Sequence, residues 1–420
     1  MSDSTGAATV SFEPRGPGRT RAQVRLGNVV VSRCEINRLL LHVGRAILPV
    51  DGIEDVWTEQ PYRGHGYARQ LLEATVERMR AGDGALSLLY GISDFYPKFG
   101  YATLGFDFSI SLRGLDRSYP IPDGWEIREF VPSDLPAIRQ IYDRATARAV
   151  GPVIRPSDAW VWKHLATLAD RKLSTPGTPA GNHVSTSADA CRVALAPSGE
   201  IAAYFWRGEG LNYVSLGESY FPTSLAIGEV VADHPAAADA ILAACRAFAR
   251  EESTRLSGEG QPAYSAVQIG VQPDSFVAAA ARYQEAWSIA YSWDCGGPMV
   301  RLLDPPWLFT ALKPELDERW RAAGLAFRGA LRLHTDLGSV SLNLSSDGIS
   351  LSAGTDALPD AQPVLDLALP QTALARLALG GFSPEDLLAR LGISDADWPA
   401  RILAALFPRR WPYLYMADRP

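Results

Sequence analysis

From about Arg21 to Trp57 apolar and polar positions alternate, the period of strands with one buried face. Val29–Ser32, Leu39–Val43 and Arg45–Val50 are the clearest pieces, with Asp51-Gly52 as a turn signal. After Val56-Trp57-Thr58 the period changes. Leu71, Leu72, Val76 and Met79 recur at helical spacing until Gly82 and Gly84 stop the helix. Ala85–Tyr90 reads as a short buried strand, two more follow around Ala102–Leu112, and Arg113–Gly124 is a turn-rich linker. A strand over Glu126–Val131 then leads to a helix capped by Ser133 or Asp134. Lys172–Asp189, rich in Ser, Thr, Pro and Gly, predicts a loop, and strands follow at Cys191–Leu195 and Ile201–Arg207. Beyond Cys295 the pattern predicts strands at Phe327–Leu333, Val340–Leu344, Ile349–Ala353 and Val364–Leu369. Helices are expected at Thr372–Leu379 and Pro399–Phe407, and a terminal strand at Trp411–Met416. The mixture is that of an α+β protein.

The sharpest chemistry lies at the junction Val56–Leu72. A strand running into an Arg/Gly-rich turn and then a helix aims several backbone N–H groups, and the positive end of a helix dipole, at one point. Such a junction holds a diphosphate without a metal. Gly64 and Gly66 carry no Cβ, so the backbone can approach phosphates closely. Arg63 can add a forked, charge-assisted contact, and Ala68 keeps the first helical turn narrow. Taken alone, the same string reads equally well as an ordinary turn. About thirty residues later comes Phe95-Tyr96-Pro97-Lys98-Phe99-Gly100-Tyr101, a dense aromatic cluster behind a buried strand.

Arg63-x-x-Gly66-x-Ala68, followed by Tyr96-x-x-Phe99-Gly100-Tyr101, resembles the GNAT acetyltransferases. That resemblance implies acetyl-CoA as co-substrate. Val56, Trp57 and Thr58 would pair with pantetheine and polarise the thioester carbonyl. Arg63, Gly64, His65, Gly66, Tyr67 and Ala68 would hold the diphosphate, and Tyr96, on the helix after the next strand, would face the sulfur as general acid. The competing reading of Tyr96 is a core aromatic with a satisfied hydroxyl. Trp57 and Tyr62 line the CoA channel or simply pack, with packing favoured; His65 contributes backbone, its ring in solvent.

Composition bounds the rest. A chain of 420 residues, 47% hydrophobic and 21% charged, is expected to fold as several domains. Its net charge of −7 and lack of a Lys/Arg run argue against nucleic acid. Cys34, Cys191, Cys245 and Cys295 are scattered and read as buried thiols in a reducing compartment; the six histidines show no metal spacing. The polar start Met1–Thr9 carries no secretory signal and no apolar run reaches transmembrane length, so the expectation is a cytoplasmic protein with no metal and no membrane partner.

Glu126-Ile127-Arg128 through Ile138 resembles a second GNAT opening, yet Gly228–Ala240, where a second phosphate loop should lie, has no Arg-x-x-Gly and places Asp233 there instead. This half is expected not to bind acetyl-CoA, which makes the two a degenerate repeat. The strand set after Cys295 resembles the sterol-carrier fold. An active GNAT unit, a degenerate one and a sterol-carrier-like end together resemble the Eis-type (enhanced intracellular survival) acetyltransferases. The implied domains are 1–122, 123–293 and 294–420. The resemblance also implies a homo-oligomer, a hexamer, and a C-terminal carboxylate, here that of Pro420, as the base. Two departures stand out. Only about twenty residues precede the first clear strand run, with no helical periodicity to supply the usual pair of helices walling the acceptor pocket. The tail Asp418-Arg419-Pro420 ends in proline rather than an aromatic.

The expected reaction is N-acetyl transfer from acetyl-CoA to a small primary amine, such as a lysine, a polyamine or an aminoglycoside-like acceptor. Glu54 and Asp55 are alternative bases. Two other readings remain: a non-catalytic acyl-CoA- or lipid-binding protein, and a scaffold in which both GNAT halves are inert.

Overall fold

The computed structural model describes residues 7–117, 119–157, 173–174, 183–184, 191–207, 224–260, 262–291, 297–353, 363–392, 394 and 397–419. Pro420, Cys295, His164 and most of the loop expected at Lys172–Asp189 lie outside them. The chain opens with β1 (Ala8–Gly16), β2 (Arg19–Leu26), β3 (Val29–Val43), β4 (Ala46–Thr58), α1 (Tyr67–Arg80), β5 (Leu86–Tyr90) and β6 (Ala102–Thr103). Next come β7 (Asp107–Arg113), β8 (Glu126–Glu129), α2 (Leu135–Thr146), β9 (Val150–Val153), β10 (Leu173–Ser174) and β11 (His183–Val184). They are followed by β12 (Cys191–Leu195), β13 (Ile201–Trp206), β14 (Ser224–Ile227), β15 (Glu229–Ala232), α3 (Pro235–Gly258), β16 (Ala266–Gly270), α4 (Phe276–Tyr283) and β17 (Trp287–Tyr291). The last stretch holds β18 (Pro298–Leu302), α5 (Pro305–Ala323), β19 (Gly329–Thr335), β20 (Gly338–Ser345), β21 (Gly348–Ala353), β22 (Val364–Ala368), α6 (Gln371–Ala378), α7 (Pro384–Leu391) and α8 (Trp398–Leu406).

Contacts group these elements into two compact units, Met1–Gly105 with Asp294–Pro412, and Phe106–Trp293 with Tyr413–Arg419. This differs from three consecutive domains. β7, expected to close the first, pairs with β16 and β17, whereas β18, an unpredicted strand within the expected third, pairs with β5 and β6. A composition shift marks where a chain changes character; it does not say which strands pair.

In the first unit the strand order is β1-β2-β3-β4-β5-β18-β6. Ala22 and Val24 of β2 share a face with Val31, Cys34 and Ile36 of β3, and all pack against Leu71, Leu72, Val76 and Met79 of α1. The alternation predicted for this region is therefore the inward face of a meander. It starts earlier than expected, since β1 pairs with β2 from Ala8↔Leu26 to Gly16↔Arg19. Only Pro17 and Gly18 separate the two strands, so no helix lies between them. Asp51-Gly52 is not a turn. β4 runs straight through it, and the Asp51 carboxylate, buried in mid-strand, accepts from Arg38 Nε at 2.8 Å. The reversal falls instead at Gly44, in the left-handed region (φ 59°), where Glu315 accepts from the Arg45 N–H at 2.7 Å. A separate sheet, β21-β20-β19-β22, has one apolar face (Leu331, Leu333, Val340, Leu342) and one polar face (Arg332, His334, Ser339, Ser341).

The second unit holds the sheets β15-β13-β12-β8 and β14-β16-β7-β17, with the Ala-rich α3 buried along much of its length. Trp411–Met416 is not the expected terminal strand. Tyr413, Leu414 and Tyr415 are all buried in succession, which no strand with a solvent face allows, and a 3₁₀ turn follows at Met416–Asp418. The Asp418 carboxylate is buried with Arg155 (3.0 Å), which also holds Glu229 (2.6 Å), and accepts from the Tyr142 hydroxyl at 3.0 Å. Burial pushes the Asp418 carboxyl up, and Arg155 pulls it back. Removing one member of a buried ion cluster strands the others. Asp418→Ala should therefore lower the unfolding free energy of this unit by about 3 kcal/mol in urea denaturation; an unchanged midpoint would show the cluster to be neutral.

Candidate active site

The site begins where β4 and β5 part. They pair in parallel only from Val50↔Leu86 to Ile53↔Leu89, after which β4 continues to Thr58 while β5 turns off at Tyr90. At the parting point β4 bulges. The register with β3 jumps between Arg33↔Trp57 and Glu35↔Glu54, so Asp55 and Val56 together face Cys34 alone. Asp55 takes φ 53°, rare for a residue other than glycine. A bulge turns backbone N–H out of the ladder at the one place where an oxyanion donor would be useful. Neither the bulge nor the positive φ was legible in the sequence, because a single Asp inside an otherwise strand-like run is too weak a signal to mark a bulge.

The loop that follows forms a 3₁₀ turn, Gln60–Tyr62, and then α1, whose N-cap is Gly66 at φ 83°. No side chain caps this helix. Its first N–H groups and its positive dipole end therefore await an external acceptor. Gly64 also has a positive φ, 79°, and a Cβ added at either glycine would meet no atom within 4 Å. Open, uncapped and lined by backbone, the loop fits a diphosphate. Arg63 is oriented differently from expectation: its Nε donates to the Thr58 carbonyl at 3.0 Å and its guanidinium lies over the Trp57 ring, 4.8 Å from the centroid. Its remaining N–H groups are the ones left to meet a phosphate. The His65 ring is exposed and stacks on Tyr67, with Nδ1 2.9 Å from the Arg63 carbonyl oxygen. Trp57 is 46% exposed and does not pack in the core, contrary to the reading favoured for it; Tyr62 does, edge-on to Tyr67. Val56 packs against the core and Thr58 Oγ1 lies 2.9 Å from Ser32 Oγ. Ala68 occupies the first turn of α1.

Tyr96 starts a single 3₁₀ turn, Tyr96–Phe99, rather than the expected helix. Pro97 and the left-handed Gly100 (φ 76°) hold the segment to one turn. The ring is buried in the cluster that contains Cys34, and so stands close to the β4 bulge. It leans on Gly91, where a Cβ would come within 2.3 Å of the ring. Burial, reinforced by the Cys34 thiol, pushes the phenol up to about 12. Among the described residues no protein group hydrogen-bonds its hydroxyl, unlike Tyr101, whose hydroxyl lies 2.7 Å from Ser87 Oγ. Cys34 itself is buried and pushed up to about 12, so it is not a nucleophile at neutral pH. Gly100 is locked from far along the chain: Arg301 and Gln371 fill the space its Cβ would need, and Gln371 Nε2 donates to its carbonyl at 3.1 Å.

Of the alternative bases, Glu54 is tied to Arg19 at 2.7 Å, and Asp55 is exposed. In the second unit the corresponding helix start is closed. His234 Nδ1 accepts from the Ala237 N–H at 3.3 Å, and Asp233 is held by Arg144 at 2.6 Å. Among the described residues there is no group of three or more His, Cys, Asp or Glu able to hold a metal, and no helix long and apolar enough to cross a membrane.

Residues 17–104, which carry this junction and Tyr96, match the acetyltransferase (GNAT) domain, and the chain is an acyltransferase. The GNAT fold uses acetyl-CoA as co-substrate. The whole chain is similar in fold to a GCN5-related N-acetyltransferase from Kribbella flavida, with 20% identity and TM-score 0.63 over 95% of this chain and 87% of that one. It is also similar to one from Anabaena variabilis ATCC 29413 (17%, TM-score 0.64, 95% and 89%). A third similar structure is Eis1 from Mycobacterium abscessus (15%, TM-score 0.59, 96% and 91%). No curated protein sequence matches the chain.

Proposed function

We propose that the protein transfers acetyl from acetyl-CoA to a primary amine, a lysine, polyamine or aminoglycoside-like acceptor. The observation that supports this most is the parting of β4 and β5 after Ile53 and Leu89, with the uncapped start of α1 beyond it and Tyr96 near the bulge. Acetyl-CoA would supply the activated thioester. Gly64, Gly66 and the first N–H groups of α1 would hold its diphosphate, and the Glu54–Thr58 segment would offer backbone N–H to the carbonyl oxygen. With a pKa of about 12, Tyr96 stands about 3.5 units above a free thiol at ~8.5, so complete proton transfer to the leaving sulfur would be uphill by about 5 kcal/mol. Tyr96 acts as a neutral hydrogen-bond donor to the sulfur.

An amine with a pKa near 10.4 must lose its proton first, at a cost of about 4 kcal/mol at neutral pH. The Pro420 carboxylate is the base in this reading, with Asp55 as the alternative, since Glu54 is neutralised by Arg19. The second unit is a degenerate repeat, consistent with the closed start of α3. The sheet β21-β20-β19-β22 with α5 is the sterol-carrier-like part, and the working form is a homo-oligomer.

Free CoA release measured against lysine, spermidine and an aminoglycoside tests the reading, with wild type beside Tyr96→Phe and a chain lacking Pro420. Amine-dependent release that falls in both variants is expected. If acetyl-CoA binds but no amine stimulates release, the transferase reading fails.

A further inference from the structure

The second unit carries a cationic cluster that the acyl-transfer site does not use. Arg246, midway along α3, is 2% exposed, and its Nε and Nη1 find no hydrogen-bond partner among the described residues. Its guanidinium lies over the Tyr119 ring, 4.2 Å from the centroid, and no described carboxylate pairs with it. A buried cation without a counter-charge costs several kcal/mol. Buried N–H groups in native proteins are met by protein, water or a bound ion. Burial lowers the Arg246 pKa; the Tyr119 phenol and the Cys245 thiol oppose this, while Arg250 and Arg117 lower it further.

Tyr119 links Arg246 to a cavity of ≈ 500 Å³, its hydroxyl donating to the Gln284 carbonyl at 3.1 Å. The cavity is lined by Arg113, Gly114, Arg117, Gln284, Glu285 and Trp287. Arg113 lies over the Trp287 ring at 4.4 Å and has no described carboxylate partner. Arg117 reaches Glu285 at 3.1 Å. Its side chain folds back over Gly114 (φ 63°), where a Cβ would stand 3.0 Å from its Nε. Arg250 donates to the Leu115 carbonyl at 2.7 Å. Gln284 gives Nε2 to Asp239 at 3.1 Å but leaves a buried Oε1 unmet. Asp116, in the same loop, is exposed and pairs with none of these arginines. Among the described residues, these four guanidiniums thus have Glu285 as their one carboxylate contact.

We propose that this cluster binds a phosphate group, either free or carried on a small organic ester. Guanidinium forks match tetrahedral oxyanions: Arg113 and Arg117 line the cavity, and Arg246, its N–H groups unmet, backs it from behind Tyr119. Trp287, which lines the cavity and holds the Arg113 guanidinium over its ring, gives an organic part an aromatic wall.

The test is calorimetric titration of the full chain with inorganic phosphate and with phenyl phosphate at matched ionic strength, without acetyl-CoA. The proteins are wild type, Arg113→Gln, Arg246→Met and Arg63→Gln. Saturable binding is expected, weakened roughly tenfold or more in the Arg113 and Arg246 variants and kept in Arg63→Gln, which touches only the loop before α1. Phenyl phosphate binding more tightly identifies an organic ester; equal affinities identify free phosphate. Arg246→Met should also raise the phosphate-free Tm, since it removes a buried unpaired cation. If Arg246→Met does not fold, Arg113→Gln decides alone. No saturable binding, or binding lost only in Arg63→Gln, overturns the proposal and leaves the acetyl-transfer reading untouched.

Discussion

Gly66→Val is expected to raise the KM for acetyl-CoA by roughly 100-fold or more while leaving kcat at saturation within a few-fold of wild type. Two effects combine. Gly66 sits at φ 83°, where an L-residue costs about 1–2 kcal/mol and a β-branched one more. The new side chain would also stand in space that no protein atom occupies within 4 Å. Its bulk therefore falls on whatever approaches the loop, and its strain pulls the first N–H groups of α1 out of line. Both losses fall on co-substrate binding, because the groups proposed to meet the thioester lie elsewhere, at the β4 bulge and Tyr96. Initial rates over a range of acetyl-CoA concentrations, with circular dichroism to confirm the fold, decide the matter. An unchanged KM would place the diphosphate away from this helix start.

Tyr96→Phe is expected to lower kcat by about 10- to 100-fold and to leave the shape of its pH profile between pH 6 and 9 unchanged. The magnitude is that of one hydrogen bond to a developing charge, about 1.5–3 kcal/mol. The pH result follows from the sign of the shift. Burial raises the phenol in the folded chain to about 12, above its unfolded value of ~10. Tyr96 is therefore neutral across the whole window, and its contribution to stability is complete below pH 10 and lost as pH rises through 12. A limb of the profile that vanished with the hydroxyl would show instead that Tyr96 titrates during turnover.

The two variants separate two functions of one junction. In the proposed reading Gly66 prepares a place for charge that is already present, and Tyr96 meets charge that develops. The same distinction sets the start of α1 apart from the start of α3 in the second unit. There α3 begins with Pro235, which has no N–H, His234 Nδ1 takes the Ala237 N–H, and the Asp233 carboxylate, held by Arg144, stands beside the helix start, so fewer donors are left to an anion than at α1.

Much of the first unit was legible in the sequence. The helical spacing of Leu71, Leu72, Val76 and Met79 marked the buried face of α1, and the glycines at 64 and 66 marked where backbone would be left open. These are local signals. A positive φ calls for glycine, and a buried helical stripe calls for apolar residues three and four apart. The β1–β2 hairpin was missed because β1 is largely polar outside its inner face, and Asp51-Gly52 misled because a buried Arg38 partner lets an aspartate sit in mid-strand. The segment at 411–416 reads as a strand by its residue types alone, yet Tyr413, Leu414 and Tyr415 are buried one after another.

The sequence by itself determined the strand–loop–helix junction at Val56–Leu72 and the aromatic cluster Phe95–Tyr101, though it read as a helix what is one 3₁₀ turn; each depends on residues within a few positions of one another. Only the tertiary structure decided how they become one site. It set the bulge opposite Cys34, the parting of β4 from β5, the seat of Tyr96 on Gly91, and the lock that Arg301 and Gln371 place on Gly100. It also exchanged β7 and β18 between the expected domains. These features rest on pairings between segments up to hundreds of residues apart. Their energies depend on which strand edges and side chains meet, and no local pattern along the chain records that choice.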